Sequence, residues 1–192
     1  RVDYSNLWGT FATPRLHLRW TPTEWINLRA SAGKGYRTSF TLDENNYLLS
    51  SSRKVYMDSE TQREEDWNAG ASVMFKPEVF GKELNFTAEY YYTDFQKQAV
   101  IDMDRDAHSV YIYQLDGKSR SHVFQLEATY PFFKGFSATL AYRYTDSKTT
   151  YIDASGKKEL KERPLTSRYK GLASVQYKTP KNLFQFDATL AI

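Results

Sequence analysis

The sequence predicts an all-β chain, an antiparallel up-and-down transmembrane β-barrel segment of about eight strands. Three observations predict it. Apolar and polar residues alternate with period two along most of the chain, and only a strand sorts such residues onto two faces. Short and long connections between the alternating runs follow one another without exception. Aromatic residues gather near the ends of the runs.

The runs follow in order. Leu16, Leu18 and Trp20 oppose Arg15, His17 and Arg19, and then Ile26, Leu28, Ala30 and Ala32 oppose Asn27, Arg29 and Ser31. Trp67, Ala69, Ala71, Val73 and Phe75 alternate with Asn68, Gly70 and Ser72. Leu84, Phe86, Ala88, Tyr90 and Tyr92 oppose Asn85, Thr87, Glu89 and Thr93. Phe124, Leu126, Ala128 and Tyr130 oppose Gln125, Glu127 and Thr129. Phe136, Ala138, Leu140, Tyr142 and Tyr144 oppose Ser137, Thr139, Arg143 and Thr145. Gly171, Ala173, Val175 and Tyr177 oppose Lys170, Ser174 and Gln176. Phe184, Phe186, Ala188, Leu190 and Ile192 close the series against Gln185, Asp187 and Thr189.

The connections carry an equal share of the argument. Thr21 to Glu24, Lys76 to Lys82, Tyr130 to Gly135 and Thr179 to Asn182 are short. The stretches from about Ser39 to Arg63, Asp102 to Lys118 and Lys148 to Thr166 are long and polar. A meander crossing a bilayer places all short turns on one side and all long loops on the other, as in barrels with short periplasmic turns and long extracellular loops. Trp20, Trp25, Phe75, Phe80, Tyr130, Phe132, Phe133, Tyr177 and Phe184 flank the short turns, and Tyr90, Tyr92, Tyr142 and Tyr144 lie toward the long loops. Two such bands are what aromatic girdles look like in a sequence. Standing alone, such a sheet has two bare edges, which are expected to close on each other or pair with a second copy.

Composition removes several function classes. There is no cysteine, hence no disulfide, thiolate metal site or cysteine nucleophile. The net charge of +3 is spread along the chain with no basic run to track a phosphate backbone, which argues against nucleic acid as a partner. Mean hydropathy is −0.65, and no apolar stretch approaches the ~18 residues of a transmembrane helix. A barrel keeps hydropathy low because only every second residue faces lipid. The chain begins at Arg1 without an initiator Met or signal peptide and stops at Ile192 inside an alternating run, so both ends are expected to be cuts in a longer protein.

Residues suited to chemistry are sparse. Gly33-Lys34-Gly35 lacks the spacing of a phosphate loop and reads as a bend at a barrel rim. His17, His108 and His122 have no zinc-ligand spacing, and His17 reads as a polar residue facing the lumen. Asp102, Asp104 and Asp106 recur at every second position like the start of a calcium loop. Ala107 and Tyr113 occupy the positions where an EF-hand needs Gly and Glu. The readings left are a solvated acidic loop and a looser calcium site. Glu89 and Glu127 fall on polar faces, as a charged lumen requires and as a glycosidase pair would also. No nucleophile elbow or triad is recognisable, so no catalytic residue and no cofactor is expected. Lys157 to Arg163 mixes signs and reads as a solvated loop tip within reach of lipopolysaccharide phosphates.

Several stretches resemble the barrel of TonB-dependent receptors, especially those of Bacteroidetes. Thr13 to Pro22, with Pro14-Arg15-Leu16, is similar to the family's Pro-Arg-Leu strand and its Pro-containing turn. Gly33-Lys34-Gly35-Tyr36-Arg37 resembles the Gly-x-Gly-aromatic-Arg stretch that leads into a long outer loop, and Glu64 to Gly70 the acidic-x-x-Asn-x-Gly stretch opening the next strand. Gly117 to Glu127 and Arg163 to Lys170 resemble two later strand approaches. The resemblance implies a barrel of about 22 strands around a plug domain, with residues 1–192 a single barrel segment that includes neither plug nor barrel C-terminus. It further implies a bacterial outer-membrane location and uptake of a scarce ligand of the siderophore, corrinoid or glycan class, with no enzymatic activity. The implied partners are outer-membrane lipid and lipopolysaccharide, the protein's own plug, TonB through segments outside this chain, and the small-molecule ligand. A porin or adhesin barrel and a soluble lipocalin-like barrel are the alternatives. On the receptor reading, Tyr36 and Arg37 at the rim and Arg105, His108 and Tyr111 in the next long loop are the expected ligand contacts, because Tyr and Arg combine stacking area with directional hydrogen bonds.

Overall fold

The computed structural model describes residues 1–6, 8–58 and 63–192. In chain order the strands are β1 (Val2–Ser5), β2 (Gly9–Ala12), β3 (Arg15–Thr23), β4 (Ile26–Thr38), β5 (Lys54–Met57), β6 (Arg63–Phe75), β7 (Glu78–Val79) and β8 (Lys82–Glu83). They continue as β9 (Asn85–Lys97), β10 (Ala99–Asp102), β11 (Ser109–Gln114), β12 (Ser119–Phe133), β13 (Phe136–Ile152), β14 (Lys158–Glu162), β15 (Tyr169–Lys178) and β16 (Gln185–Ala191). The helical pieces are short: α1 (Thr41–Glu44) and 3-10 turns at Asn46–Ser50 and Pro180–Asn182.

One nine-stranded sheet forms the wall. Its line runs β16-β15-β13-β12-β9-β6-β4-β3, with β14 pairing off it onto β13. Every neighbour along this line is antiparallel, so the wall is an up-and-down meander whose turns fall where the sequence places them. The sheet does not close, and β3 and β16 are its edges among the described residues. Of the two outcomes expected for bare edges, closing on each other is not the one this single chain adopts. A line of eight strands keeps its ends apart, whereas a barrel needs strand number, tilt and stagger to agree.

The register explains why the alternation is so regular. Trp20, Leu28, Val73, Ala88, Leu126, Tyr142 and Gly171 stand opposite one another in succession across seven strands. Ile26, Phe75, Phe86, Ala128, Leu140, Ala173 and Leu190 form the adjacent row. The separate apolar sets are therefore one continuous face, and it is bare: Leu18 is 60% and Leu140 63% exposed. A one-residue slip in any strand would move its whole apolar set to the other side. The opposite face is mainly polar and bonded across strands. Thr129 and Thr139 hydroxyls are 2.8 Å apart, Ser174 and Thr189 hydroxyls 2.9 Å apart, and Arg143 Nε donates to Gln125 Oε1.

Short turns close one end of the wall. The β12–β13 turn needs Gly135, which has φ +84° and whose added Cβ would lie 2.2 Å from the Lys178 carbonyl oxygen. Lys178 N–H donates to the Gly135 carbonyl at 2.7 Å, tying the turn to β15. The Lys76–Lys82 link carries the small β7–β8 hairpin, and Tyr130 Oη donates to the Val79 carbonyl.

The long loops hold what the sequence does not announce. Residues 59–62 of the first lie outside the described residues. The rest of that loop and the next one join in a second, three-stranded sheet, β10-β11-β5, in which β11 and β5 run parallel. This parallel pair is a correction to the purely antiparallel expectation. Leu48, Val110 and Ile112 are buried beneath it, flanked by Leu42, Val55, Ile101 and Met103. Lys157 to Arg163, read as a loop tip, instead supplies β14 and lengthens the β13 edge beyond the wall.

Candidate functional site

The two joined loops form a cap over the long-loop end of the wall. Ser119 Oγ, in β12, donates to Gln98 Oε1 at 2.7 Å and sits 3.0 Å from the Thr149 hydroxyl, all buried. Tyr113 Oη, in β11, accepts from Ile152 N–H at 3.1 Å and reaches Asp102 Oδ2 at 3.4 Å. Burial pushes the Tyr113 phenol up to about 12.

The parallel register sets Tyr56 directly beside Tyr111. Their rings stack at 5.3 Å with 15° between planes, and the Arg105 guanidinium lies over Tyr111 at 4.6 Å. The result is a three-layer stack, Arg105–Tyr111–Tyr56, whose outermost ring is 51% exposed. Such a stack offers a flat π-face and a cation together. Of the three residues expected in this loop, Arg105 and Tyr111 are brought into contact. Tyr56 completes them and was missed; its only signal is the short β-prone run Val55-Tyr56-Met57 inside a polar loop.

His108 is exposed beside this stack, with its backbone N–H on Asp106 Oδ1 and its carbonyl accepting from Lys54 N–H. Tyr36 and Arg37 are not a pair, since neighbours on β4 face opposite sides. The Tyr36 ring packs 4.0 Å from Phe11 of β2, under Arg63, which also lies over Trp8. Its hydroxyl is buried without a hydrogen bond among the described residues. Arg37 is held by Glu64 at 2.8 Å and Glu44 at 3.0 Å, bracing the strand entrance of the first long loop.

The three aspartates do not converge. Asp102 Oδ1 accepts the backbone N–H groups of Asp104 and Arg105, both at 3.1 Å, which makes it the staple of its own turn. The side-chain hydrogen bond from Ser109, joined by the His108 backbone N–H, holds the Asp106 carboxyl below the usual range. Among the described residues no three histidine or acidic side chains group as a metal site.

A second polar feature lies on the hydrophilic face of the wall. Arg15, His17, Asp66 and Asn68 border a depression of about 240 Å³ over Gly33 and Gly35. The glycines are not a bend, because β4 runs through them without a register shift. They make room: a Cβ on Gly35 would lie 2.2 Å from Asp66 Oδ1, and one on Gly33 2.8 Å from Arg15 Cγ. Glu89 and Glu127 share this hydrophilic face, opposite Gln125 and Thr87 respectively.

The wall and its loops are similar to a solved structure, the FrpB iron transporter from Neisseria meningitidis (F3-3 variant). The TM-score is 0.61 and the identity 12%, over 93% of this chain and 26% of that one. The chain thus spans about a quarter of that protein's length, and the likeness is one of fold. A search among curated proteins finds no match. The family model described as TonB dependent receptor-like, beta-barrel matches residues 1–190. With the eight-strand meander, its one-sided long loops and its continuous apolar belt, that match places the chain in the TonB-dependent receptor β-barrel family.

Proposed function

We propose that the chain is part of the barrel wall of a bacterial outer-membrane receptor that takes up a scarce small molecule of the siderophore, corrinoid or glycan class. The observation that carries this reading is the apolar belt, unbroken from β3 to β16 and bare on its outer side. Exposed apolar side chains in a continuous sheet face have a favourable environment only in lipid or against another apolar surface. The long-loop end is then the cell exterior, and the short turns face the periplasm. The hydrophilic face lines a lumen that the protein's plug would fill, with TonB acting through segments outside residues 1–192.

Cargo meets the cap. The Arg105–Tyr111–Tyr56 stack is the contact surface we favour, with His108 at its margin and Arg37 and Tyr36 in supporting positions at the rim. The acidic turn Asp102, Asp104 and Asp106 shapes the loop that carries Arg105.

Deleting the gene and following growth on limiting chelated iron, corrinoid or a glycan as the restricted nutrient tests the whole reading. Loss of growth on one of these supports it. Unimpaired growth on all three, with the protein outside the outer-membrane fraction, overturns it. The site has its own test: alanine at both Arg37 and Tyr111 is expected to weaken cargo binding at unchanged protein abundance in the membrane. Unchanged binding would discard these contacts.

A further inference from the structure

Where the apolar belt meets the short turns, a groove of about 800 Å³ runs between the β3–β4 turn and the β7–β8 hairpin. Phe75 lines it and belongs to the belt, in the row of Ile26 and Phe86. The hairpin is tied to the same face. Tyr130, two residues along β12 from the belt's Ala128, donates to the Val79 carbonyl at 2.8 Å. The groove therefore opens on the apolar side of the wall.

Its charges are unevenly matched. Lys76 pairs with Glu83 at 3.3 Å, and Lys82 Nζ donates to the Phe132 carbonyl. Glu24 and Glu78 border the same groove, both exposed, and among the described residues neither has a cationic side chain within 4.0 Å. Trp25 meets Phe75 edge-on, with ring centroids 5.4 Å apart, and keeps 46% of its surface exposed. The rim is apolar: Phe80 at the hairpin tip is 94% exposed and Phe132 53%.

An indole beside two unpaired carboxylates is a setting for an ammonium ion. Lys76 and Lys82 each carry three donors, so both keep N–H groups for a phosphate. We propose that this groove holds the phosphoethanolamine headgroup of a phospholipid in the leaflet next to the short turns. Its ammonium meets Glu24, Glu78 and Trp25, and its phosphate meets Lys76 and Lys82. The proposal rests on the reading of the apolar belt as lipid-facing. A primary ammonium fits better than a quaternary one, because only N–H groups can donate to the carboxylates. An anionic lipid without an amine would bring like charge to Glu24 and Glu78. A phospholipid also supplies acyl chains to cover Phe80 and Phe132, whereas a cationic protein segment supplies the charge alone.

The complete protein, purified in detergent and placed in nanodiscs of equal parts phosphatidylethanolamine and phosphatidylcholine with the same acyl chains, supplies the test. Native mass spectrometry of the released protein is expected to show about fivefold more retained phosphatidylethanolamine than phosphatidylcholine. Glu24→Gln with Glu78→Gln is expected to abolish that preference, and Glu89→Gln, on the hydrophilic face, to keep it. Equal retention of the two lipids by wild type overturns the proposal and leaves the two carboxylates to a cationic protein segment. An undiminished preference in the double variant, or a preference lost in Glu89→Gln, overturns it too. Should the double variant fail to insert, Glu78→Gln alone takes its place and is expected to lower the preference, with an unchanged preference again decisive against the site. A protein that never enters the outer membrane fails the functional reading itself, and fractionation reveals that separately.

Discussion

In the wall, Leu140 points outward with 63% of its surface bare; in the cap, Ile112 retains 1%. The buried hydrophobic residues among those described are Leu48, Val100, Val110 and Ile112, all in the segments between β4 and β6 or between β9 and β12. The wall, with most of the chain's long strands, has none. The difference teaches where each region finds its apolar environment. A single sheet cannot bury its own apolar face, so the wall depends on a surrounding apolar medium. The cap instead packs loop against loop and builds a small core of its own. Hydrogen bonding is satisfied in both by ladders, so it is the side chains that separate the two regions.

Four experiments would break or sharpen this contrast. Ile112→Ala removes packed atoms from the cap core and should cost the cap about 2–5 kcal/mol. Hydrogen exchange should speed across β5, β10 and β11 while the long wall strands stay protected. Simultaneous loss of protection in the wall would show that the two regions unfold as one. Leu126→Arg or Leu140→Arg places charge on the belt and should destabilise membrane insertion by about 2–4 kcal/mol, whereas Gln125→Arg or Thr139→Arg should be tolerated. Urea titrations in lipid vesicles measure this, and equal losses on the two faces would contradict the assignment of lipid to the apolar one.

The junction comes next. Ser119→Ala removes the buried bond to Gln98 and should loosen the cap by about 1 kcal/mol. Protease cleavage within residues 98–118 should accelerate with barrel abundance unchanged. The smallest effect concerns pH. Burial raises the Tyr113 phenol from 10.0 to about 12, so its neutral form is the one the fold favours. That contribution is complete below pH 10 and lost as pH climbs through 12. Cap exchange protection should therefore decline between those values. In Tyr113→Phe the decline should flatten, and an identical pH profile would remove Tyr113 from the explanation.

Much of the wall was legible in the sequence because each strand carries its own period-two record. Leu16-His17-Leu18 and Phe136 to Tyr144 need no partner to be read, and the register then aligns them. The cap was not legible for the opposite reason. Its strands are four to six residues long, and β5 finds its partner across the whole of β6 and β9. Val55 and Val110 look like strays in polar loops until that pairing exists. The same fact explains the candidate contacts. Arg105 and Tyr111 lie close in the chain and were placed together, but Tyr56 arrives only through the parallel ladder. Tyr36 was read as a rim contact because its cover, Phe11, comes from a hairpin at the other end of β3. Gly33 and Gly35 were read as a bend because a sequence does not say that Arg15 and Asp66 lean across them.

The parallel pairing of β5 with β11 also constrains how the surface of this protein can diversify. Exposed loops ordinarily accept insertions and substitutions one at a time. Here a single residue gained within Lys54–Met57 would turn Val55 away from Val110 and Ile112 and present the wrong face of the strand to β11. The two loops are therefore expected to vary, recombine and be exchanged between related proteins as a matched pair, with neither drifting far unless the other follows.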